Sequence, residues 1–537
     1  MARHAAGRDH RHARHSLLVL QAAARPAALG RAGRVGLLTA SVLAQAFALV
    51  FDPYVLWVIL ASAIFGLFVG AVPGLTATMA TALLVPVTFF MPPVPAIASI
   101  VTATAMAIFA GDIPSCLLRM PGTPASAAYT DEAYAMTKKG QGELALGSGL
   151  WFSILGGLFG TAVLIAAAPS LAEIALKFSS FEYFWLVVLG LASAVFLAIG
   201  NPLKGVVSLL FGLLVASEGL DNPAGFPRFT FGSAELAGGL TLIPIMIGMF
   251  AVSEILRSVG RIDEPWEMAQ TKIGNVLHGM WGLTKRYPWQ LLRGSAVGTA
   301  IGALPGAGAD IAAWMSYAIS KRFSKEPEKF GTGHIEGIIE AGASNNSALA
   351  GAWIPALVFG IPGDSITAIV IGVLYIKGLN PGPTIFMNNA PAIYAVFMVF
   401  ILANLLMLPL GLAAIRAAKQ MLRAPREVLL PVILLFCIVG SFAINNSIFG
   451  VALMLAFGIV GYVMEENGFP IAPAILGLVL GAMLEENFIS SMIKADGRLL
   501  AFFERPIAGS LGILTIVVFS VPLIRRTMAV PWRRSEK

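Results

Sequence analysis

The chain has 537 residues, 57% hydrophobic and only 12% charged, with a mean hydropathy of +0.81. Soluble domains carry about 25% charged residues, so this composition excludes an ordinary globular domain and indicates a polytopic membrane protein. The formal net charge of +7 does not mark a nucleic-acid partner: residues 1–35 hold seven arginines against Asp9, a net +6, and the rest of the chain carries only +1.

In chain order, the basic head 1–35 also holds four of the six histidines and lacks an uninterrupted apolar core, so it does not read as a cleavable signal peptide. It reads as a cytoplasmic tail, as sequence ahead of a misassigned start, or as an Arg-rich targeting peptide. An apolar span at 54–72 runs into "GAVPGLTATMA" (70–80), where Pro73 removes a backbone donor and Gly74 loosens the helix just before Thr76. The next apolar run, 94–110, leads to "GDIPSCLLRMPGT" and a second break at Pro121 and Gly122, followed by Thr123. Asp112 and Arg119 lie seven residues apart and share a face of any helix there. They read as an ion pair, or Arg119 reads as a planar fork for a substrate carboxylate.

Spans at 144–168, 183–200, 203–217 and 236–256 follow, with "GFP" at 225–227. Residues 257–290, with Arg257, Arg261, Asp263, Glu264 and Trp266, read as a polar connection. The run 291–320 contains "GALPGAGADIA" (302–312), with Pro305, Gly306, Gly308 and Asp310. Glu336 and Glu340 precede "SNNS" (344–347), where Asn345 and Asn346 offer oxygen ligands to a hard cation such as sodium, or the four residues cap a helix. "IPALVFGIPG" (354–363) supplies Pro362 and Gly363, then Asp364. Spans at 391–415, 428–443, 447–464, 470–484 and 506–524 bring the total to about a dozen passes. Cys116 and Cys437 lie in apolar segments and His278 and His334 are isolated, so no disulfide framework or metal spacing is present. No G-x-x-x-x-G-K-[ST] loop occurs either.

The breaks recur. Gly66, Gly70, Pro73 and Gly74 fall on Gly298, Gly302, Pro305 and Gly306 at a constant offset of 232. Pro114, Pro121 and Gly122 fall on Pro355, Pro362 and Gly363 at 241, and "GFP" returns at 468–470 at 243. Three matches in one order indicate internal duplication, with repeats at 54–260 and 285–500, a connecting segment at 261–284 and a last helix at 506–524. Each break frees peptide groups that lipid cannot satisfy, so it survives only inside protein or along a polar cavity. Paired broken segments in two halves point to the binding site of a secondary transporter, with half-helix ends offering N–H groups to anions and carbonyls to cations. Intramembrane carboxylates such as Asp310 and Asp364 are candidates for function by default.

The stretches "GLFVGAVPGLTATMATALLVPVTF", "MPGTPASAAYTDEAYAMTKKG", "GALPGAGADIA", "EAGASNNSALAGAWIPALVFGIPG", "GLNPGPTIF" and "ILGLVLGAMLEENF" together resemble the large membrane subunit of the tripartite tricarboxylate transporters, over about residues 54–500. The resemblance implies an all-α polytopic carrier of a bacterial inner membrane, with about twelve transmembrane helices in two repeats, expected to be inverted. It implies import of di- or tricarboxylates on a sodium or proton gradient, with no other cofactor. A small four-helix membrane subunit and a periplasmic solute-binding protein are the implied partners. By motif it marks Pro73, Gly74, Pro121, Gly122, Pro305, Gly306, Pro362 and Gly363, with Glu340, Asn345 and Asn346; Thr76, Thr123, Gly308 and Asp364 adjoin them. "FAGDIPSCLLRM" departs from the family's Gly-rich pattern by adding Asp112 and Arg119, and the basic head has no counterpart. Two other readings stand beside it: an intramembrane aspartyl protease using Asp112 and Asp310, and a passive anion channel whose filter the breaks would build.

Overall fold

The structure, a computed structural model, describes residues 31–197, 202–220, 225–260, 274–422 and 426–529. The basic head to residue 30 and positions 261–273 of the connecting segment, with Arg261, Asp263, Glu264 and Trp266, lie outside the described residues. The described chain is helical apart from turns and one isolated bridge between Gly219 and Arg228. Among the described residues, eight helices are long and apolar enough to cross a membrane: 53–71, 93–118, 142–175, 242–259, 390–418, 427–444, 448–466 and 471–494. Six shorter apolar helices accompany them. Part of the expected dozen is cut short by the breaks themselves, which leave half-helices such as Ala77–Phe89 and Ser365–Ile376. The run 291–320, read as one interrupted segment, is two helices, Pro288–Gly302 and Gly308–Phe323.

Local chemistry sets these ends. Helix Pro53–Ala71 starts with proline at its first position and Asp52 accepting from the Tyr54 amide at 2.9 Å. It stops where Val72 turns extended and Gly74 takes φ +89°. Gly306, its counterpart, has φ +80°. A residue with a Cβ is strained in that left-handed region by about 1–2 kcal/mol, which accounts for glycine at both positions. The second breaks also match: Arg119 (φ 59°) and Gly360 (φ 69°) end their helices in left-handed conformation, each amide donating back to the carbonyl of Pro114 or Pro355.

Packing repeats the same offsets. A Cβ added to Gly66 or Gly70 would lie 2.2 or 2.3 Å from the carbonyl oxygen of Ala103 or Ala107. Gly298 and Gly302 stand in the same relation to Ser344 (2.3 Å) and Ala348 (2.2 Å). A Cβ added to Gly122 would lie 2.7 Å from the Gly70 carbonyl oxygen, and one added to Gly363 would lie 2.7 Å from that of Gly302. Lipid tails are as apolar as leucine, so close backbone approach through small residues is what holds such helices together. The halves also interlock. Helix Gly142–Ala175 lies along Ile335–Phe359, with Gly156 and Gly160 against the carbonyls of Ala343 and Ser347, while Ala390–Met421 lies along Pro93–Ala110. The buried Glu132 carboxylate fastens the loop ahead of Ile335, accepting from the amides of Gly331, Gly333 (2.6 Å) and His334 (2.7 Å) and from the Tyr317 hydroxyl (2.8 Å).

Two expectations change. Ser344 to Ser347 cap nothing, because they sit buried in mid-helix between the glycine faces of Pro288–Gly302 and Gly142–Ala175. Arg257 is not in a connection; it extends the helical run 242–259, which packs on Ile448–Glu466.

Candidate functional site

All four breaks open on one cavity of about 470 Å³. Thr76, Ala77 and Thr78 reach it from the first break, Thr123 and Pro124 from the second, Gly306 to Ile311 from the third, and Asp364 to Ile366 from the fourth. Three half-helices, Ala77–Phe89, Gly308–Phe323 and Ser365–Ile376, therefore begin at its wall. Each presents first-turn amides and the positive end of its dipole, an arrangement suited to an anion.

The polar groups at the wall are held in place. Thr76 Oγ1 accepts from the Met79 amide at 3.2 Å, and Thr123 and Ser126 exchange side-chain and backbone hydrogen bonds at 2.8–3.1 Å. Asp364 forms a capping box with Thr367, accepting from its amide at 2.8 Å. Trp314 Nε1 donates to the Pro124 carbonyl at 3.3 Å, tying the second break to the half-helix after the third. Asp310, in the first turn of Gly308–Phe323, faces the cavity with Asp364. Asn345 reaches the cavity from Ile335–Phe359, and its Oδ1 has no hydrogen-bond partner.

Sequence reasoning missed the opposite wall. Glu254 and Arg257 line it from the 242–259 run, and Glu465 from Ile448–Glu466. The Arg257 guanidinium pairs with Glu254 at 3.2 Å and with Glu465, and lies 3.6 Å from Glu466. The only sequence signals were charges inside an apolar run and "EEN" ahead of the second "GFP".

Of the residues singled out from sequence as site candidates, Thr76, Thr123, Gly306, Gly308, Asp310, Asn345 and Asp364 line the cavity. Pro73, Gly74, Pro121, Gly122, Pro305, Pro362 and Gly363 shape the breaks without lining it. Glu340 lies elsewhere, buried, both oxygens accepting from Arg293 at 2.6 Å. Asn346 turns its Nδ2 to the Met407 sulfur at 3.7 Å. The Asp112–Arg119 ion pair does not form, because the left-handed turn at Arg119 carries that side chain outward to Asp131 at 2.8 Å, both more than 60% exposed. Nor do Asp112 and Asp310 meet as a protease dyad would require. Asp112 hydrogen-bonds Tyr129 at 2.6 Å away from the cavity wall, and the carboxylate beside Asp310 is Asp364.

Arg119→Gly is expected to raise stability by up to about 1 kcal/mol by relieving the left-handed strain, since an exposed ion pair contributes little. Uptake should stay within twofold, roughly 0.4 kcal/mol. Thermal unfolding in detergent together with transport assays checks both; a large loss of uptake would return Arg119 to the substrate.

A family model described as the tripartite tricarboxylate transporter TctA family matches residues 56–476. The chain is 35% identical over 468 residues, 86% of its own length and 92% of the relative's, to an uncharacterised 52.8 kDa protein in the TAR-I ttuC' 3' region of Agrobacterium vitis. It is 36% identical over 231 residues, 42% of its length and 96% of the relative's, to an uncharacterised protein in the TAR-II ttuC' 3' region of the same organism. No solved structure matches. The matched span takes in all four breaks and the cavity between them, and the chain belongs to the tripartite tricarboxylate transporter TctA family, as a multi-pass membrane subunit of such a transporter.

Proposed function

We propose that this subunit is the carrier of a secondary importer of di- or tricarboxylates, driven by a cation gradient in a bacterial inner membrane. A periplasmic solute-binding protein delivers the substrate, and a small four-helix subunit completes the membrane unit. The observation that carries the reading is the opening of three half-helix N-termini onto one cavity. Their first-turn amides suit substrate carboxylates, and about 470 Å³ lies within the range of small-molecule sites.

The charges at the wall favour symport. Among the described residues, Asp310, Asp364, Glu254 and Glu465 face the cavity against one cation, Arg257, so a carboxylate entering alone meets excess negative charge. Cations entering with it remove that repulsion. The matched packing of the two motif sets supports a pair of repeats, in the inverted arrangement that lets one bundle rock against the other about a fixed site.

Single cysteines placed at Thr76, Thr123 or Ser365, after replacing the two buried natural cysteines Cys116 and Cys437 by alanine, test the site. Citrate or succinate bound in the cavity is expected to slow modification by a membrane-impermeant thiol reagent at all three positions. A cysteine at Gly282, whose Cβ position has nothing within 4 Å, should react at the same rate with or without substrate. Protection at none of the three would remove substrate from this cavity.

A further inference from the structure

Building on the carrier reading above, we propose that Asp112 binds the proton that couples this chain to its driving gradient, with Tyr129 as the relay to the central cavity. Asp112 is 2% exposed and Tyr129 1%. Oδ1 of Asp112 accepts from the Tyr129 hydroxyl at 2.6 Å, whereas Oδ2 is buried with no partner. Gly149 closes over that second oxygen: a Cβ there would lie 2.8 Å from it. On its other side, the Tyr129 oxygen lies 3.5 Å from Nδ2 of Asn345, which lines the cavity.

Among the described residues, the surroundings offer the carboxyl no counter-charge. Its own short helix, Asp112–Leu118, carries only Cys116 as a titratable neighbour. The turn Ser126–Tyr129 contributes Tyr129, Ile335–Phe359 contributes the neutral Asn345, and Gly142–Ala175 contributes Gly149. Glu132 of Thr130–Lys138 is engaged with the 331–334 loop, and neither Pro53–Ala71 nor Pro93–Ala110 brings a basic group. An ionised carboxylate buried without a cation is strongly disfavoured. A neutral carboxyl fits: Oδ1 accepts from Tyr129 and Oδ2 carries the proton.

Loading balances as a relay. A hydronium entering past Asn345 gives its proton to the Tyr129 oxygen while the Tyr129 hydrogen passes to Oδ1. One O–H bond breaks at the hydronium, leaving water, and one at Tyr129; one forms at each acceptor oxygen. The carboxylate becomes a carboxyl that turns about its Cβ–Cγ bond so that the protonated oxygen takes the place of Oδ2. Asn345 touches both the relay and the cavity, so substrate at the wall and proton at Asp112 act on one side chain. Each proton carried inward cancels one negative charge of the substrate.

The test uses the chain with its partner subunits in proteoliposomes enclosing a pH-sensitive dye, supplied with labelled citrate or succinate and binding protein. In the unaltered protein, substrate should acidify the lumen and an acid-outside gradient should drive accumulation. Asp112→Asn should keep substrate exchange yet lose gradient-driven accumulation by about tenfold per pH unit imposed, the ratio one coupled proton sustains. Tyr129→Phe, which keeps the carboxyl, should slow proton entry. Undiminished accumulation in Asp112→Asn, undiminished proton entry in Tyr129→Phe, or uptake driven by sodium alone would each overturn the proposal and leave the carrier reading standing. Should neither substrate move under any gradient, the carrier reading fails. Infrared spectra then decide the site by themselves: a protonated-carboxyl band lost in Asp112→Asn supports it, and identical spectra overturn it.

Discussion

Replacing Arg293 by alanine is expected to destabilise this membrane subunit by roughly 3–5 kcal/mol, the usual cost of stranding one member of a buried ion pair. Both Glu340 oxygens accept from the Arg293 guanidinium at 2.6 Å, and the Glu340 side chain has no exposure at all. Without Arg293 that carboxylate loses its cation and keeps a side-chain hydrogen bond with Ser320. The reverse change, Glu340→Ala, should cost less, because Arg293 is 30% exposed and can turn to water. Exchanging both for leucine should recover most of the loss, since a buried pair is often matched by well-packed apolar side chains. Thermal unfolding of the purified protein in detergent ranks the three; equal losses in the two single variants would mean that desolvation of Glu340 does not govern this pair.

Gly70→Val and Gly302→Val should each cost at least about 3 kcal/mol, at the upper end of overpacking effects. The first Cβ carbon would already stand 2.3 Å from the Ala107 oxygen in one case and 2.2 Å from the Ala348 oxygen in the other. These contacts are with backbone, so no side-chain rearrangement relieves them and the helices must part. That movement would also widen the breaks a few residues on, so uptake should fall together with stability. Gly282→Ala is the control: nothing lies within 4 Å of its Cβ position, in helix Met280–Arg286, and it should gain about 0.5–1 kcal/mol of helix propensity. A large loss at one of the two glycines and none at the other would contradict the equivalence of the two motif sets.

Particular residues show how far the sequence could be read. The breaks were legible because proline and glycine act on their own backbone, wherever the chain goes next. Thr76, Thr123, Gly306, Gly308 and Asp364 adjoin the breaks and reach the cavity with them. Asn345 stood out as polarity inside an apolar run, but only packing separates it from Asn346, one position on and turned to Met407. Glu340 illustrates the opposite limit. A carboxylate in an apolar stretch signals that something must compensate it, and here Arg293, 47 residues earlier, does so. Arg119 went elsewhere because one left-handed residue redirects a side chain that helical periodicity would have aligned with Asp112. The wall of Glu254, Arg257 and Glu465 depends on helices some 200 residues apart meeting, and no local pattern encodes that meeting.

Gradient-driven uptake into proteoliposomes decides whether this subunit works as a gradient-coupled carrier. The chain, its small subunit and a binding protein would be reconstituted, labelled citrate and succinate presented outside, and an inward sodium or proton gradient switched on and off. Saturable uptake of a carboxylate that requires both the binding protein and one of the two gradients is the expected result. Flux that persists with neither would contradict it and describe a passive channel.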